Sequence, residues 1–255
     1  MLQSFLQLPD RKKAGPPITV LTAYDYPTGR LLDEVGVDLL LVGDSLGMVV
    51  LGLPDTTGVT MDMMVHHIAA VRRGVTRAPV IGDLPAHSYD TPEQALANAR
   101  RLVEAGANAV KLEGGTAFIP QVRAIIAAGI PFVGHIGMLP QSVREEGGYK
   151  KKGKTPEQAD LLIADALALD EAGAIAMVLE SIVPEVAAEI TRQVRASTIG
   201  IGAGTGTDGQ VLVTHDLLGS FPWFRPPFAK ARADIAAETR RAVSEYIAAC
   251  QSTNP

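Results

Sequence analysis

Four acidic residues end otherwise apolar runs: Asp44, Asp83, Glu113 and Glu180 each close a stretch of Val, Leu, Ile, Ala and Gly. An acid in that place either caps the next helix or stands at a reactive rim. Carboxylate oxygens converging from neighbouring strands suit Mg²⁺, which keeps several waters or substrate oxygens as its other ligands. On this reading Asp44, Asp83 and Glu113, from three successive strands, form the metal cluster, and Glu180 stands apart from it. That divides the work between a Lewis acid and a general base. Lys111 lies two residues before Glu113, so both side chains leave the same side of a strand. It is either a cation beside the carboxylates, suited to an anionic substrate, or half of a structural Lys–Glu pair. His135, late in another apolar run, is either a rim hydrogen-bond donor or a satisfied core histidine.

Other features carry less chemistry. His66 and His67 sit in a helical run without metal-ligand spacing and read as packing or surface. Gly200, Gly202, Gly204 and Gly206 recur at every second residue, which is not G-x-G-x-x-G, so the dinucleotide fingerprint fails. They either let a ligand approach the backbone or make a tight turn. The lysine-rich stretch from Lys150 to Lys154 reads as a solvated loop. The segment from Leu46 to Thr60 is too long for a simple βα connection and is expected to form a lid over the rim.

The elements that must position these residues form an alternation. Eight short apolar runs read as buried parallel strands: Ile18–Asp25, Leu39–Ser45, Pro79–Pro85, Ala109–Gly114, Pro131–Met138, Ala174–Ser181, Thr198–Gly204 and Gln210–His215. Alanine-rich amphipathic segments lie between most of them. Over 255 residues, eight units are about 32 residues each, which matches a closed barrel better than an open sheet. The expectation is an α/β fold, a (β/α)₈ TIM barrel over about residues 18–219, in a single domain spanning 1–255. A C-terminal helix is expected over Ala229 to Cys250.

Internal similarity supports repeated units. Thr91-Pro-Glu-Gln-Ala95 recurs as Thr155-Pro-Glu-Gln-Ala159. Each reads as a helix start with threonine as N-cap, proline in the first turn and glutamine completing a capping box. Each helix then ends at Glu-Ala-Gly, where Gly106 or Gly173 takes the left-handed position.

Composition excludes several classes. Hydrophobic residues make up 47% and charged residues 20%, an ordinary globular balance that rules out disorder and fibres. A net charge of -5 argues against a nucleic-acid binder. The single cysteine, Cys250, excludes an intrachain disulfide and a multi-cysteine metal site. No secretory signal or membrane span is legible, so a cytoplasmic protein without a membrane partner is expected.

Several long motifs stand in one order along the chain: Leu21-Thr-Ala-Tyr-Asp-Tyr26, Val42-Gly-Asp-Ser-Leu-Gly47, Val110-Lys-Leu-Glu-Gly-Gly115, Gly134-His-Ile-Gly137 followed by Pro140-Gln-Ser-Val143, Gly147-Gly-Tyr-Lys150, and Gly200-Ile-Gly-Ala-Gly204 followed by Thr207-Asp-Gly-Gln-Val-Leu-Val213. In these stretches the chain resembles the ketopantoate hydroxymethyltransferase family. The resemblance implies a Mg²⁺-dependent (β/α)₈ barrel enzyme. Its reaction would carry a one-carbon unit from 5,10-methylenetetrahydrofolate to 3-methyl-2-oxobutanoate, giving 2-dehydropantoate for pantothenate synthesis through an enolate. By resemblance Asp44, Asp83 and Glu113 bind the metal, directly or through water. Asp44, Ser45, Asp83 and Lys111 contact the keto acid, Glu180 accepts the proton, and His135 lines the site. A homodecamer of two pentameric rings is implied. The alternative is a Mg²⁺-dependent lyase or mutase of the isocitrate lyase and phosphoenolpyruvate mutase type, which commonly relies on a reactive cysteine or an asparagine-bearing loop; here Cys250 lies beyond the last strand.

Overall fold

Eight strands close in chain order: β1 (Ile18–Thr22), β2 (Leu39–Val42), β3 (Val80–Asp83), β4 (Ala109–Lys111), β5 (Phe132–Gly137), β6 (Ala176–Glu180), β7 (Ser197–Ile201) and β8 (Gly209–Leu212). The computed structural model describes residues 2–12 and 15–252. Neighbouring strands pair in parallel. Where the circle closes, the Ile18 N–H donates to the Asp208 carbonyl at 2.9 Å. The helices are α1 (Leu2–Leu6), α2 (Leu8–Arg11), α3 (Tyr26–Val35), α4 (Leu46–Val49), α5 (Met61–Gly74), α6 (Pro92–Glu104), α7 (Ile119–Ala127), α8 (Pro156–Ala172), α9 (Pro184–Gln193), α10 (Thr214–Leu218) and α11 (Ile235–Ser252). The fold is the expected (β/α)₈ barrel.

Each apolar run holds one strand, and most strands stop short of the run's C-terminal end. The run from Ile18 ends its ladder at Thr22 because Asp25 turns to cap α3, accepting the Thr28 N–H at 2.8 Å. The run from Ala109 keeps its ladder only to Lys111, which leaves Glu113 just beyond the last rung. These post-strand residues form the C-terminal rim.

Side-chain alternation sorts the core into two layers. Leu40, Val42, Val80, Val110, Phe132, Met177 and Leu179 face outward and pack against Ile68, Val71, Leu102, Ile125, Leu169 and Ile190 of the helices. Val20, Leu39, Leu41, Ile81, Ala109, Val133, Ala176, Val178, Ile199 and Val211 share the interior. Two residues beyond Ile81 comes Asp83; beyond Ala109 come Lys111 and Glu113; beyond Val133 comes His135; beyond Val178 comes Glu180. The same two-residue period that fills the barrel with aliphatics therefore aims these polar groups into its mouth.

The repeated helix starts behave as expected. Thr91 accepts the Gln94 N–H and Thr155 accepts the Gln158 N–H. The glutamine side chains reach one residue further back than the usual box, to the N–H groups of Asp90 and Lys154. Gly106 and Gly173 take φ of 113° and 102°. The glycine series after β7 is a turn: Gly202 and Gly204 have φ of 63° and 81°.

The opposite end of the barrel is plugged. Phe5 and Leu8 of α1 and α2 lie buried within the interior aliphatic cluster. Arg11 pairs with Asp38 at 2.7 Å, and Lys12 donates to the Ala196 carbonyl at 2.9 Å and faces Asp208 at 3.3 Å. On the same end, Asp33 of α3 accepts the N–H groups of Ala78 (2.7 Å), Thr76 (2.8 Å) and Arg77 (3.1 Å) ahead of β3. Asp170 of α8 repeats the clasp on Ala196 and Arg195 ahead of β7.

Residues 46–60 fold into α4 and a 3₁₀ turn at Thr56–Gly58, and Asp55 pairs with Arg144 of the loop after β5 at 2.7 Å. Among the lysines of the loop that follows, Lys150 donates to the Glu146 carbonyl and Lys152 pairs with the Glu146 carboxylate. By internal contacts a second compact unit begins at Leu212. Its long helix α11 starts at Ile235, later than the expected Ala229, because Asp234 supplies the cap by accepting the Ala237 N–H. No residue of α11 is buried, and Val243, Tyr246 and Ile247 are exposed. Among the described residues, no helix is long and apolar enough to cross a membrane.

Candidate active site

The seven residues singled out in the sequence fall on adjoining strands at the C-terminal rim, and the acids among them form one contiguous polar network. Asp83 is the last residue of β3, and its Oδ2 accepts the Asp44 N–H at 3.4 Å. Lys111 is paired with Asp83 in the ladder, and its Nζ stands 2.7 Å from Asp83 Oδ1 and 4.0 Å from Glu113 Oε1. Of the two readings of Lys111, the inward cation is the one the structure has. His135 Nδ1 lies 3.2 Å from Lys111 Nζ, and its Nε2 lies 3.1 Å from Glu180 Oε2. An ammonium only donates, so Nδ1 is the accepting nitrogen and the ring proton belongs on Nε2, beside Glu180. His135 is thus a buried histidine at the rim with a charged partner near each ring nitrogen, so the structure keeps features of both readings. Ser45 Oγ is 2.7 Å from the Tyr24 hydroxyl. His67, read as packing, bonds the Tyr24 carbonyl through Nδ1 at 2.6 Å.

Gln141 is a further member that no charge or periodicity signalled, although it lies inside a quoted motif. Its Nε2 donates to Asp44 Oδ2 at 2.8 Å, and its backbone N–H donates to Glu113 Oε2 at 3.0 Å. Tyr89 donates to its Oε1.

Burial and mutual repulsion set the electrostatics. Asp44 is pushed up to about 7 by burial and by Glu113. Asp83 is pushed up to about 7 by burial, with Lys111 opposing. Burial raises Glu113 to about 8. Burial alone would lower Lys111, but Asp83, Glu113 and Asp44 together hold it above the ordinary lysine value. Burial and the charge of Lys111 lower His135, which keeps it neutral. Burial raises Glu180, and His135 pulls it back.

Three carboxylates against one ammonium leave two negative charges when all are ionised, a surplus that one divalent cation would balance. Glu113 Oε1 is buried and accepts no hydrogen bond. The donors are all oxygen, the set a hard ion takes. Among the described residues no three His, Cys, Asp or Glu side chains stand as a ready-made metal cage. The arrangement fits an ion that binds one or two carboxylates directly and keeps water or substrate oxygens for the rest, as Mg²⁺ does.

Comparison with known proteins adds sequence to this geometry. A family model described as ketopantoate hydroxymethyltransferase matches residues 3–254. The chain is 53% identical to a 3-methyl-2-oxobutanoate hydroxymethyltransferase of Thermoanaerobacter sp. (strain X514), over 96% of this chain and 90% of that protein. It is 55% identical to a protein of the same name from Pyrobaculum neutrophilum, over 89% of this chain and 87% of that protein. Among solved structures, phosphoenolpyruvate phosphomutase from Streptomyces platensis subsp. rosaceus superposes with a TM-score of 0.63 at 17% identity, covering 84% of this chain and 82% of that one. A 2,3-dimethylmalate lyase of the PEP mutase/isocitrate lyase superfamily gives 0.62 at 16%, covering 99% and 89%. At these identities the solved structures share the fold.

Proposed function

The chain belongs to the ketopantoate hydroxymethyltransferase family of enzymes, and from that premise we propose that it transfers a hydroxymethyl group from 5,10-methylenetetrahydrofolate to 3-methyl-2-oxobutanoate in a Mg²⁺-dependent reaction. One C–C bond forms at C3 of the keto acid as the C3 proton leaves; the two N–CH₂ bonds of the folate break, one water supplies the hydroxyl oxygen of 2-dehydropantoate, and the C3 proton and the two water protons end on that hydroxyl and on the two nitrogens of the released tetrahydrofolate. Asp44, Asp83 and Glu113 hold the cation. The chemistry a bound divalent ion supplies is Lewis acidity toward the 2-oxo acid, which acidifies the proton at C3.

The other steps belong to the chain's own side chains. Lys111, buried but held in its charged form by Asp83, Glu113 and Asp44, offers its ammonium to the substrate carboxylate. Ser45, its hydroxyl held by Tyr24, is a further contact to the keto acid in this reading. Glu180 takes the C3 proton, and its burial makes it a stronger base than a solvated glutamate. His135, neutral and protonated on Nε2, keeps Glu180 turned into the mouth.

The observation that carries this reading is the juxtaposition of three buried acids and one ammonium with a separate, mostly buried glutamate across the same mouth. Keto acid and Mg²⁺ in D₂O, without folate, test it. Deuterium should enter at C3 and fail to do so in Glu180→Gln or with a chelator. Exchange at the wild-type rate in Glu180→Gln removes Glu180 from the role. Turnover with the folate donor separates this activity from a lyase or mutase.

The same reading includes a cytoplasmic homo-oligomer, with a decamer as the expected state. The unburied α11, with Val243, Tyr246 and Ile247 outward, is support for self-association. Light scattering of the purified chain measures it.

A further inference from the structure

Gln141 touches two of the three acids in the cluster. It lies in the 3₁₀ turn Pro140–Ser142 that follows β5. Its Nε2 donates to Asp44 Oδ2 at 2.8 Å and to the Leu84 carbonyl at 3.0 Å. Its backbone N–H donates to Glu113 Oε2 at 3.0 Å, and its Oε1 accepts the Tyr89 hydroxyl at 2.5 Å. The carboxamide cannot be turned round, because its nitrogen faces a carboxylate and a carbonyl, neither of which donates. The Tyr89 hydroxyl holds the other end.

One residue thus ties together the segments that follow β2, β3, β4 and β5. It engages one oxygen of each of two acids. For Glu113 the other oxygen, Oε1, stays buried without a hydrogen bond. The geometry points to Gln141 as a positioning residue for the divalent-ion site: it sets which oxygens of Asp44 and Glu113 turn toward the ion. This rests on the reading of those acids as the cation's holders.

The chemistry of the residue matters. Methionine fills the same length but donates nothing, so Asp44 Oδ2 loses its partner. Glutamate sets a further carboxylate against Asp44. Groups that orient metal ligands typically change metal affinity by about 10–100-fold when removed.

The test uses Mn²⁺ alone, titrated into the purified full chain without substrate and followed by the paramagnetic resonance of the free ion. Gln141→Met should bind Mn²⁺ about 10–100-fold more weakly than wild type. Tyr89→Phe, which keeps the ring against Phe118 at 5.3 Å between centroids, should weaken binding in the same direction by a smaller factor. In steady state the metal activation constant should rise for both. A purely structural role would lower the unfolding midpoint and leave the Mn²⁺ affinity alone. Gln141→Met that folds and binds Mn²⁺ within about twofold of wild type overturns the inference; if that variant does not fold, unchanged binding in Tyr89→Phe overturns it. Wild type that binds no Mn²⁺ overturns the functional reading, and this inference with it.

Discussion

His135 Nε2 stands 3.1 Å from Glu180 Oε2, while its Nδ1 stands 3.2 Å from the Lys111 ammonium. One neutral imidazole therefore joins the ammonium of the cluster to the carboxylate of Glu180 across the mouth.

That bridge has a pH signature. In the proposed reaction Glu180 works as a carboxylate, so activity should fall as pH drops through its pKa. Burial raises that pKa and His135 lowers it. The acidic limb of kcat/KM should lie above the ordinary glutamate value of about 4.3. In His135→Phe the limb should move to higher pH, because the group that pulled Glu180 down is gone. Identical limbs in the two pH–rate profiles contradict this.

Removing divalent ions should destabilise the protein most at alkaline pH. Asp44, Asp83 and Glu113 are raised to about 7, 7 and 8, so the folded state binds more protons than the unfolded chain. Their contribution to stability is greatest below about pH 4, where the unfolded carboxylates are protonated too, and is lost as pH rises through 7 to 8. In the proposed reading a divalent ion replaces those protons. The rise in Tm on adding Mg²⁺ to chelator-treated protein should be larger at pH 8 than at pH 6, and an equal rise at both would argue against ion binding by these acids.

The clasp at Asp33 makes the opposite prediction. Burial alone would raise it, but the N–H groups of Ala78, Thr76 and Arg77 and the Thr76 hydroxyl hold it below the ordinary aspartate value. Asp33→Asn should cost about 1–3 kcal/mol at pH 7. A lowered pKa stabilises above the unfolded value of about 3.9 and ceases to as pH falls through the folded one. The gap between wild type and variant, measured by urea unfolding, should therefore narrow below about pH 4. A gap that is constant down to pH 3 would show that the carboxylate charge is not what matters.

Phe5 is fully buried in the cluster that fills the lower end of the barrel, with Ile18, Leu39 and Val133 among its members. Phe5→Ala should cost about 3–5 kcal/mol and Phe5→Leu less than about 1.5. Denaturant midpoints distinguish the pair, and a harmless alanine would mean that the plug adds nothing to the interior.

The strands and their rim were legible because two signals agree: apolar runs of strand length, and an acid at the end of each of four. Lys111 and Glu113 could be placed together from their spacing alone. Whether they faced inward was not legible, since a run buried on both faces hides its own alternation, and Leu40 and Leu41 look alike in sequence although one faces helices and the other the interior. Gln141 escaped for a different reason. An uncharged polar residue in a loop has neither period nor charge, and its importance comes from three other loops that only folding brings to it. The N-terminal plug was missed because α1 and α2 are too short to show a helical period. The late start of α11 follows from a cap at Asp234 that ordinary composition does not distinguish from Asp216 or Asp208.

The alternation along β4 has one more implication. Lys111 and Glu113 share the mouth because Ala109, two places earlier, shares the interior. Deleting or inserting one residue anywhere in that short strand exchanges them for Val110 and Leu112, presenting two aliphatics to the substrate and two charges to the helix layer. In a scan of single-residue insertions and deletions, β4 should be among the least forgiving stretches of the chain, even where every point substitution around it is tolerated.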